Sequence, residues 1–344
     1  MNFGLRVVGQ RRASSFFNTI TINPPSGVTV ASSGFPLLIY GTYSQLKTVA
    51  NGGHVTNSNG YDILFSTTPD MSGLIPFELV SYSATTGAVQ FWVSVPTLAA
   101  HGTNTVIYIL HGFPSIVTNQ SNPSGVWDDN NFVSALHLEN SYTDSVVSSL
   151  TSFVLSGSGS FSPGEIGQGS YLTGGYLTSP SSAPLSPGAL TFSAWCKPAA
   201  LSNAYSGIGS IDDPTNGWTI MVKSNGKLAV YLVAGGTVAS SYDGTGLYTL
   251  STGVWQHVAF TTVVTIGEYL IGYVNGLQDA VVHAGSNFNA SSSTYLIGDD
   301  GLTGGRVFSG RIDEPHISNV VRTPSWILAE YANQSSPATF YTVT

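Results

Sequence analysis

Trp218-Thr219-Ile220-Met221-Val222-Lys223-Ser224-Asn225-Gly226-Lys227-Leu228-Ala229-Val230-Tyr231-Leu232 decides the fold class. Two runs rich in β-branched and apolar residues, 218–222 and 228–232, flank an Asn-Gly pair. Glycine supplies the positive φ that a tight hairpin turn requires, so the stretch is read as two antiparallel strands. The same grammar recurs along the chain. Residues 87–96 (GAVQFWVSVP) alternate like a half-buried strand and end at proline, and residues 104–110 (NTVIYIL) read as a more fully buried strand. Helical periodicity is almost absent. The one good helix candidate is 324–331, with Thr323 placed to cap it and Pro324 at its first position. Many short strands separated by Gly, Asn, Ser and Pro clusters mean a sandwich or jelly roll. The chain is all-β with a short C-terminal helix.

With 344 residues the chain has room for two domains. Only 8% of it is charged, against about 25% in an ordinary soluble protein. Hydrophobic residues at 42% and aromatics at 11% supply ample core, which argues against disorder. A net charge of −8 argues against nucleic acid as a partner. Cys196 is the single cysteine, so no intramolecular disulfide and no multi-cysteine metal site can form. No run approaches the ~18 apolar residues of a membrane-spanning helix, so no membrane insertion is expected. Composition shifts divide the chain into an arm (1–27), a first β-sandwich (28–132) and a second (133–344). Arg6, Arg11 and Arg12 are three of the ten basic residues, and no Lys or Arg occurs between Thr48 and Cys196. This asymmetry suits docking of the arm onto an acidic partner surface. The polar residues Ser14, Ser15, Asn18, Thr19 and Thr21 follow where an export signal would carry an apolar run. No cleaved leader is expected.

The second block resembles the concanavalin A-like, laminin-G-type domain. The resemblance rests on residues 190–198 (LTFSAWCKP), 253–260 (GVWQHVAF), 273–276 (YVNG) and 308–317 (FSGRIDEPHI). Cys196 stands where that family usually has valine, and Pro315 where a β-branched residue is common. The first block resembles a poorly characterised all-β family that often precedes such domains in bacterial and phage surface proteins. Its matching stretches are 34–37 (GFPL), 59–65 (NGYDILF), 75–79 (IPFEL), 91–96 (FWVSVP) and 108–112 (YILHG). The junction 127–139 (WDDNNFVSALHLE) completes the likeness. The implied architecture is two tandem β-sandwiches, the second a concanavalin A-like jelly roll.

Catalytic patterns are missing. Glycoside hydrolysis needs two carboxylates flanking the scissile bond, and retaining enzymes of this fold carry them as Glu-x-Asp-x-Glu on one strand. Residues 311–316 (RIDEPH) have no Glu at either outer position of such a motif, and the pairs Asp128-Asp129, Asp212-Asp213 and Asp299-Asp300 read as turns. No Gly-x-Ser-x-Gly elbow and no His-Glu-x-x-His occurs. The chain is expected not to be an enzyme. The resemblance implies a Ca²⁺ site where an early acidic loop meets the last strands, which falls on Asp144 and Asp313, against the alternative that each carboxylate serves its own backbone. Trp218, Tyr231, Tyr242 and Tyr273 are the aromatic candidates for stacking on a carbohydrate, with core packing as their other fate. The reading that joins these features is a phage virion surface protein, a capsid decoration protein or a head or tail fibre. In it the arm docks on the major capsid or another virion protein, the outer domain meets host glycan, and a homo-oligomer is the natural assembly. The rival is a bacterial surface or secreted carbohydrate-binding module, located outside the cell and not on a virion.

Overall fold

A computed structural model describes residues 16–146, 152–182, 189–212, 215–263, 269–283, 293–301 and 306–344. The first sandwich contains β1 (Phe16–Ile22), β2 (Ser32–Thr42), β3 (Leu64–Ser66), β4 (Phe77–Tyr82), β5 (Ala88–Leu98) and β6 (Thr105–His111). The short helix α1 (Pro123–Val126) then leads into the second sandwich. There the strands are β7 (Phe132–Ala135), β8 (Val154–Ser156), β9 (Gly159–Pro163), β10 (Gln168–Thr173), β11 (Tyr176–Ser182), β12 (Ala189–Pro198), β13 (Tyr205–Asp212) and β14 (Gly217–Lys223). They continue as β15 (Leu228–Ala234), β16 (Thr237–Asp243), β17 (Gln256–Val263), β18 (Tyr269–Val274), β19 (Leu277–His283), β20 (Thr294–Ile297) and β21 (Ser309–Ser318). Helices α2 (Pro324–Ser335) and α3 (Pro337–Phe340) and strand β22 (Tyr341–Val343) end the chain.

The Asn-Gly hairpin at 218–232 forms, with Gly226 at φ 79°, and a second one turns at Asn275-Gly276, at φ 51° and 75°. Thr323 caps α2 as expected, its hydroxyl accepting from the Trp326 amide at 3.1 Å. One boundary differs from expectation: β5 does not stop at Pro96. The amide of Ser94 points to the β4 side, where it reaches the Pro76 carbonyl, so Pro96 lacks its N–H on that same side. Strand β4 pairs with β5 only as far as Val93, and no ladder bond is lost.

In the second sandwich the sheet β19-β18-β17-β12-β21-β10-β9 packs on the sheet β16-β15-β14-β13-β20-β11-β8, and β7 pairs with β21. Strand β12 shows how period 2 divides the two faces. Leu190, Phe192, Ala194 and Cys196 enter the core between the sheets. Burial pushes the Cys196 thiol up to about 12, so it stays a protonated, inert core group. Thr191, Ser193 and Trp195 point the other way, toward the C-terminal segment. Their side chains donate to the Val320 carbonyl, to Glu330 Oε1 and to Gln334 Oε1 at 2.7, 2.7 and 2.6 Å.

Two expected boundaries are corrected by pairing. Residues 16–22 are not part of an arm, because β1 lies between β6 and β22 in the sheet β22-β1-β6-β3. Nor do residues 133–344 form one unit, since β22 completes that first sheet and α2 covers the edge of the other, β2-β5-β4. The edge strand β2 would otherwise leave amides and carbonyls unpaired in an apolar junction. Asn333 on α2 accepts from the Leu38 amide at 2.7 Å and donates to its carbonyl at 3.1 Å. Tyr341 does the same for Tyr40, at 3.0 and 3.3 Å.

Charged groups fill the space between the sandwiches. His137, after β7, lies 2.7 Å from Glu314 and 3.1 Å from Glu78, and His316 lies 3.0 Å from Glu314 and 3.6 Å from Glu330. Burial alone would lower the His137 pKa, but Glu314 and Glu78 carry it well above the usual range. The indole of Trp127 and the hydroxyl of Ser145 complete the pairing of Glu78, at 2.5 and 2.7 Å. Arg322 caps the junction by donating to the Asn130 carbonyl while lying 3.9 Å above the Trp326 ring. Asn333→Ala strands the Leu38 amide and carbonyl together, so it should cost about 2–4 kcal/mol. A fall in the urea midpoint at unchanged slope is the expected result.

Candidate functional site

The outer face of the sheet β16-β15-β14-β13 carries a cleft of about 230 Å³ lined by Tyr205, Thr219, Met221, Tyr231, Val233, Val238 and Arg306. Alternation on the hairpin puts these residues there. Trp218, Ile220 and Val222 on β14, with Leu228, Val230 and Leu232 on β15, enter the core. Their neighbours Thr219, Met221, Tyr231 and Val233 must therefore face outward, and Thr219 is registered opposite Tyr231. Met221 and Val233 give the cleft an apolar base. Its rim is polar and aromatic.

The rim is built around Tyr205. Its hydroxyl donates to the two oxygens of Asp243 at 3.1 and 3.0 Å and lies 3.4 Å from the Tyr231 hydroxyl. Lys223 and Arg306 each sit 5.0 Å from the centre of the Tyr205 ring, within cation–π range. Lys223 Nζ donates to Asp243 at 2.7 Å, and Arg306 pairs with Asp300 at 3.0 Å. Burial pushes the Asp243 carboxyl upward, but the bonds from Lys223 and Tyr205 prevail and hold it below the usual range. The Tyr231 hydroxyl is pushed above its ordinary range, first by burial and then by its Tyr205 and Asp243 neighbours. The Tyr231 phenol therefore keeps its proton, able to donate and to accept.

One atom in this cleft is out of balance. Thr219 is 1% exposed and its hydroxyl has no hydrogen-bond partner among the described residues. A buried hydroxyl left alone is unfavourable by about 1–3 kcal/mol, so a donor or acceptor entering the cleft would find it unsatisfied.

The aromatic expectations divide. Tyr231 lines the cleft, but Trp218, Tyr242 and Tyr273 are 0, 2 and 1% exposed and cannot meet a sugar. Trp218 packs with Phe260, Phe192 and Tyr295 at centroid distances of 5.3, 5.4 and 6.1 Å. Tyr242 is registered with Val230, on the inward parity. Tyr273 belongs to the cluster beneath the first sandwich and α2. Tyr205, Thr219, Asp243 and Arg306 were not anticipated. Parity across the Asn-Gly turn could have placed Thr219 with Tyr231, but nothing local brings Tyr205, Asp243 and Arg306 to them.

The two acidic candidates accept from separate sets of donors. Asp144 accepts from the Ser134 hydroxyl and from the amides of Ala135 and Val146, at 2.6, 3.0 and 2.8 Å, while burial still pushes its carboxyl up to about 6. Asp313 accepts from the amides of Glu165, Ile166 and Glu314 at 3.0, 2.9 and 3.0 Å. Each carboxylate holds its own loop in shape. Arg6, Arg11 and Arg12 lie outside the described residues.

Residues 171–328 match the family model of the Concanavalin A-like lectin/glucanases superfamily. Among solved structures, the fold resembles domain 4 of AbnA, a GH43 extracellular arabinanase from Geobacillus stearothermophilus in complex with arabinotriose. That match has 20% identity and a TM-score of 0.50, covering 59% of this chain and 98% of the other. The binding domain of Botulinum neurotoxin DC in complex with rat synaptotagmin II matches at 14% identity and a TM-score of 0.45, over 60% of this chain and 52% of that one. The binding domain of Paraclostridial Mosquitocidal Protein 1 matches at 15% identity and 0.44, over 58% and 52%. No curated protein matches the chain by sequence. Among the described residues no helix is long and apolar enough to cross a membrane.

Thr219→Val removes the orphaned hydroxyl and keeps the side-chain shape. Thermal unfolding should show unchanged or higher stability, by up to about 1–2 kcal/mol. A clear loss of stability would mean that the hydroxyl is already satisfied.

Proposed function

We propose that the chain is a non-catalytic carbohydrate-binding protein and that the Tyr205–Tyr231–Arg306 cleft receives one sugar unit of a glycan. The carrying observation is the combination of an apolar base, two tyrosines and a Thr219 hydroxyl without a partner among the described residues in one concavity. A sugar ring has apolar C–H faces and a girdle of hydroxyls. Met221, Val233 and the tyrosine rings match the faces, while Asp243, Arg306, Thr219 and the phenols match the girdle. The cleft is smaller than the roughly 300–1,000 Å³ of drug-sized sites, which suits a single residue of a longer chain. The complex of the arabinanase domain with arabinotriose is consistent with this class of ligand on this fold.

A glycan array followed by calorimetry on the best ligand tests the reading. Tyr231→Ala and Arg306→Ala should each weaken binding at least tenfold, a loss of about 1.4 kcal/mol or more. Phe substituted for the buried Tyr242 should leave it unchanged. No binding to any array member, or binding indifferent to Tyr231, overturns the proposal.

The finer reading is display on a phage virion, with the basic segment that carries Arg6, Arg11 and Arg12 docked on the particle. It is supported by the crowding of basic residues just before β1 in a chain of net charge −8. Charge reversal at the three arginines should abolish co-sedimentation with particles and leave glycan binding intact. Undiminished co-sedimentation sinks this docking role, and failure of the unaltered chain to co-sediment with particles favours a bacterial surface or secreted module.

A further inference from the structure

At the junction, two imidazoles converge on one carboxylate oxygen. His137 Nδ1 lies 2.7 Å and His316 Nε2 3.0 Å from Glu314 Oε2, and a ligand atom from each of the three residues lies within 4.8 Å of the others. The second oxygen, Glu314 Oε1, is buried and has no hydrogen-bond partner among the described residues. Glu314 also sits at φ 44°, a left-handed conformation uncommon for a non-glycine residue, where β21 slips register against β12. The bulge aims its carboxylate between the two rings.

The far nitrogens repeat one pattern. His137 Nε2 faces Glu78 Oε2 at 3.1 Å, and His316 Nδ1 faces Glu330 Oε1 at 3.6 Å. Those carboxylates are fixed in turn, Glu78 by Trp127 and Ser145, Glu330 by Ser193. An imidazole that ligates a metal presents one nitrogen to the ion and gives its other N–H to a carboxylate, which sets tautomer and ring orientation. Here both imidazoles are framed in that way.

We propose that this chain holds one Zn²⁺ ion on His137 Nδ1, His316 Nε2 and the Glu314 carboxylate. Two imidazoles and one carboxylate suit zinc, whereas Ca²⁺ and Mg²⁺ require oxygen ligands. Tetrahedral bonds of about 2.0–2.2 Å set ligand atoms roughly 3.3 Å apart. The present 2.7 and 3.0 Å separations would widen by a few tenths of an ångström as the ion replaces the protons facing Glu314. Rotation of the carboxylate gives Oε1 a partner. The ion would staple β21 to the segment after β7, with Glu78 of the first sandwich and Glu330 of α2 as its outer supports.

The test uses the full chain, stripped with a chelator and then given Zn²⁺ alone. Desalted protein should retain one equivalent by mass spectrometry of the metal and unfold at a higher temperature than the stripped form. Its X-ray absorption spectrum should show two imidazoles on the ion. His316→Gln should abolish retention, Glu78→Gln should weaken it roughly 10–100-fold, and His283→Gln on the surface should change nothing. Failure of folded wild-type protein to retain zinc overturns the proposal, as does retention unaffected by His316→Gln. If His316→Gln does not fold, the wild-type absorption spectrum decides, and fewer than two imidazoles overturns it.

Discussion

The arrangement of the whole chain depends on keeping Glu78, His137, Glu314, His316 and Glu330 paired where water cannot reach. A lone ion there would be unfavourable by several kcal/mol, and removing one partner of such a pair is worse than never having had it. Each group therefore needs a partner from elsewhere in the chain: Glu78 from the first sandwich, His137 from the junction, Glu314 and His316 from β21, and Glu330 from α2. Loss of any one element would expose the rest.

The same constraint explains how the C-terminal segment is used. Helix α2 presents Glu330 and Gln334 to β12, while Asn333 closes the free edge of β2. It is held from both sides, and the chain then enters the first sheet as β22. The β12 and β21 part of one face of the second sandwich is covered by this packing. The opposite sheet keeps its outer face available, and the cleft lies there.

How much of this was legible varies with the range of the interaction. The 218–232 hairpin and the Thr323 cap were readable, because turn chemistry and capping act over a few residues. Core and cleft aromatics were not separated, although Trp218 and Tyr231 sit on opposite parities of the same hairpin; only the burial of one face tells which parity is inside. For Asp144 and Asp313 a shared Ca²⁺ and separate backbone amides stayed open alternatives, because position along the chain says nothing about which amides point at a carboxylate. His137, Glu314 and His316 raised no signal, since 177 residues separate His137 from Glu314.

By itself the sequence determined the all-β class, the positions of its hairpin turns, the C-terminal helix and a second block of concanavalin A-like type. These follow from local backbone preference and from the alternation of apolar residues, which are properties of neighbours. Tertiary structure alone decided that both ends of the described chain share one sheet, that Trp218, Tyr242 and Tyr273 are core while Tyr231 faces outward, and that two histidines meet one glutamate. Those outcomes depend on which faces are buried and which distant groups are brought within 3 Å, and they are set by packing the two sandwiches against α2.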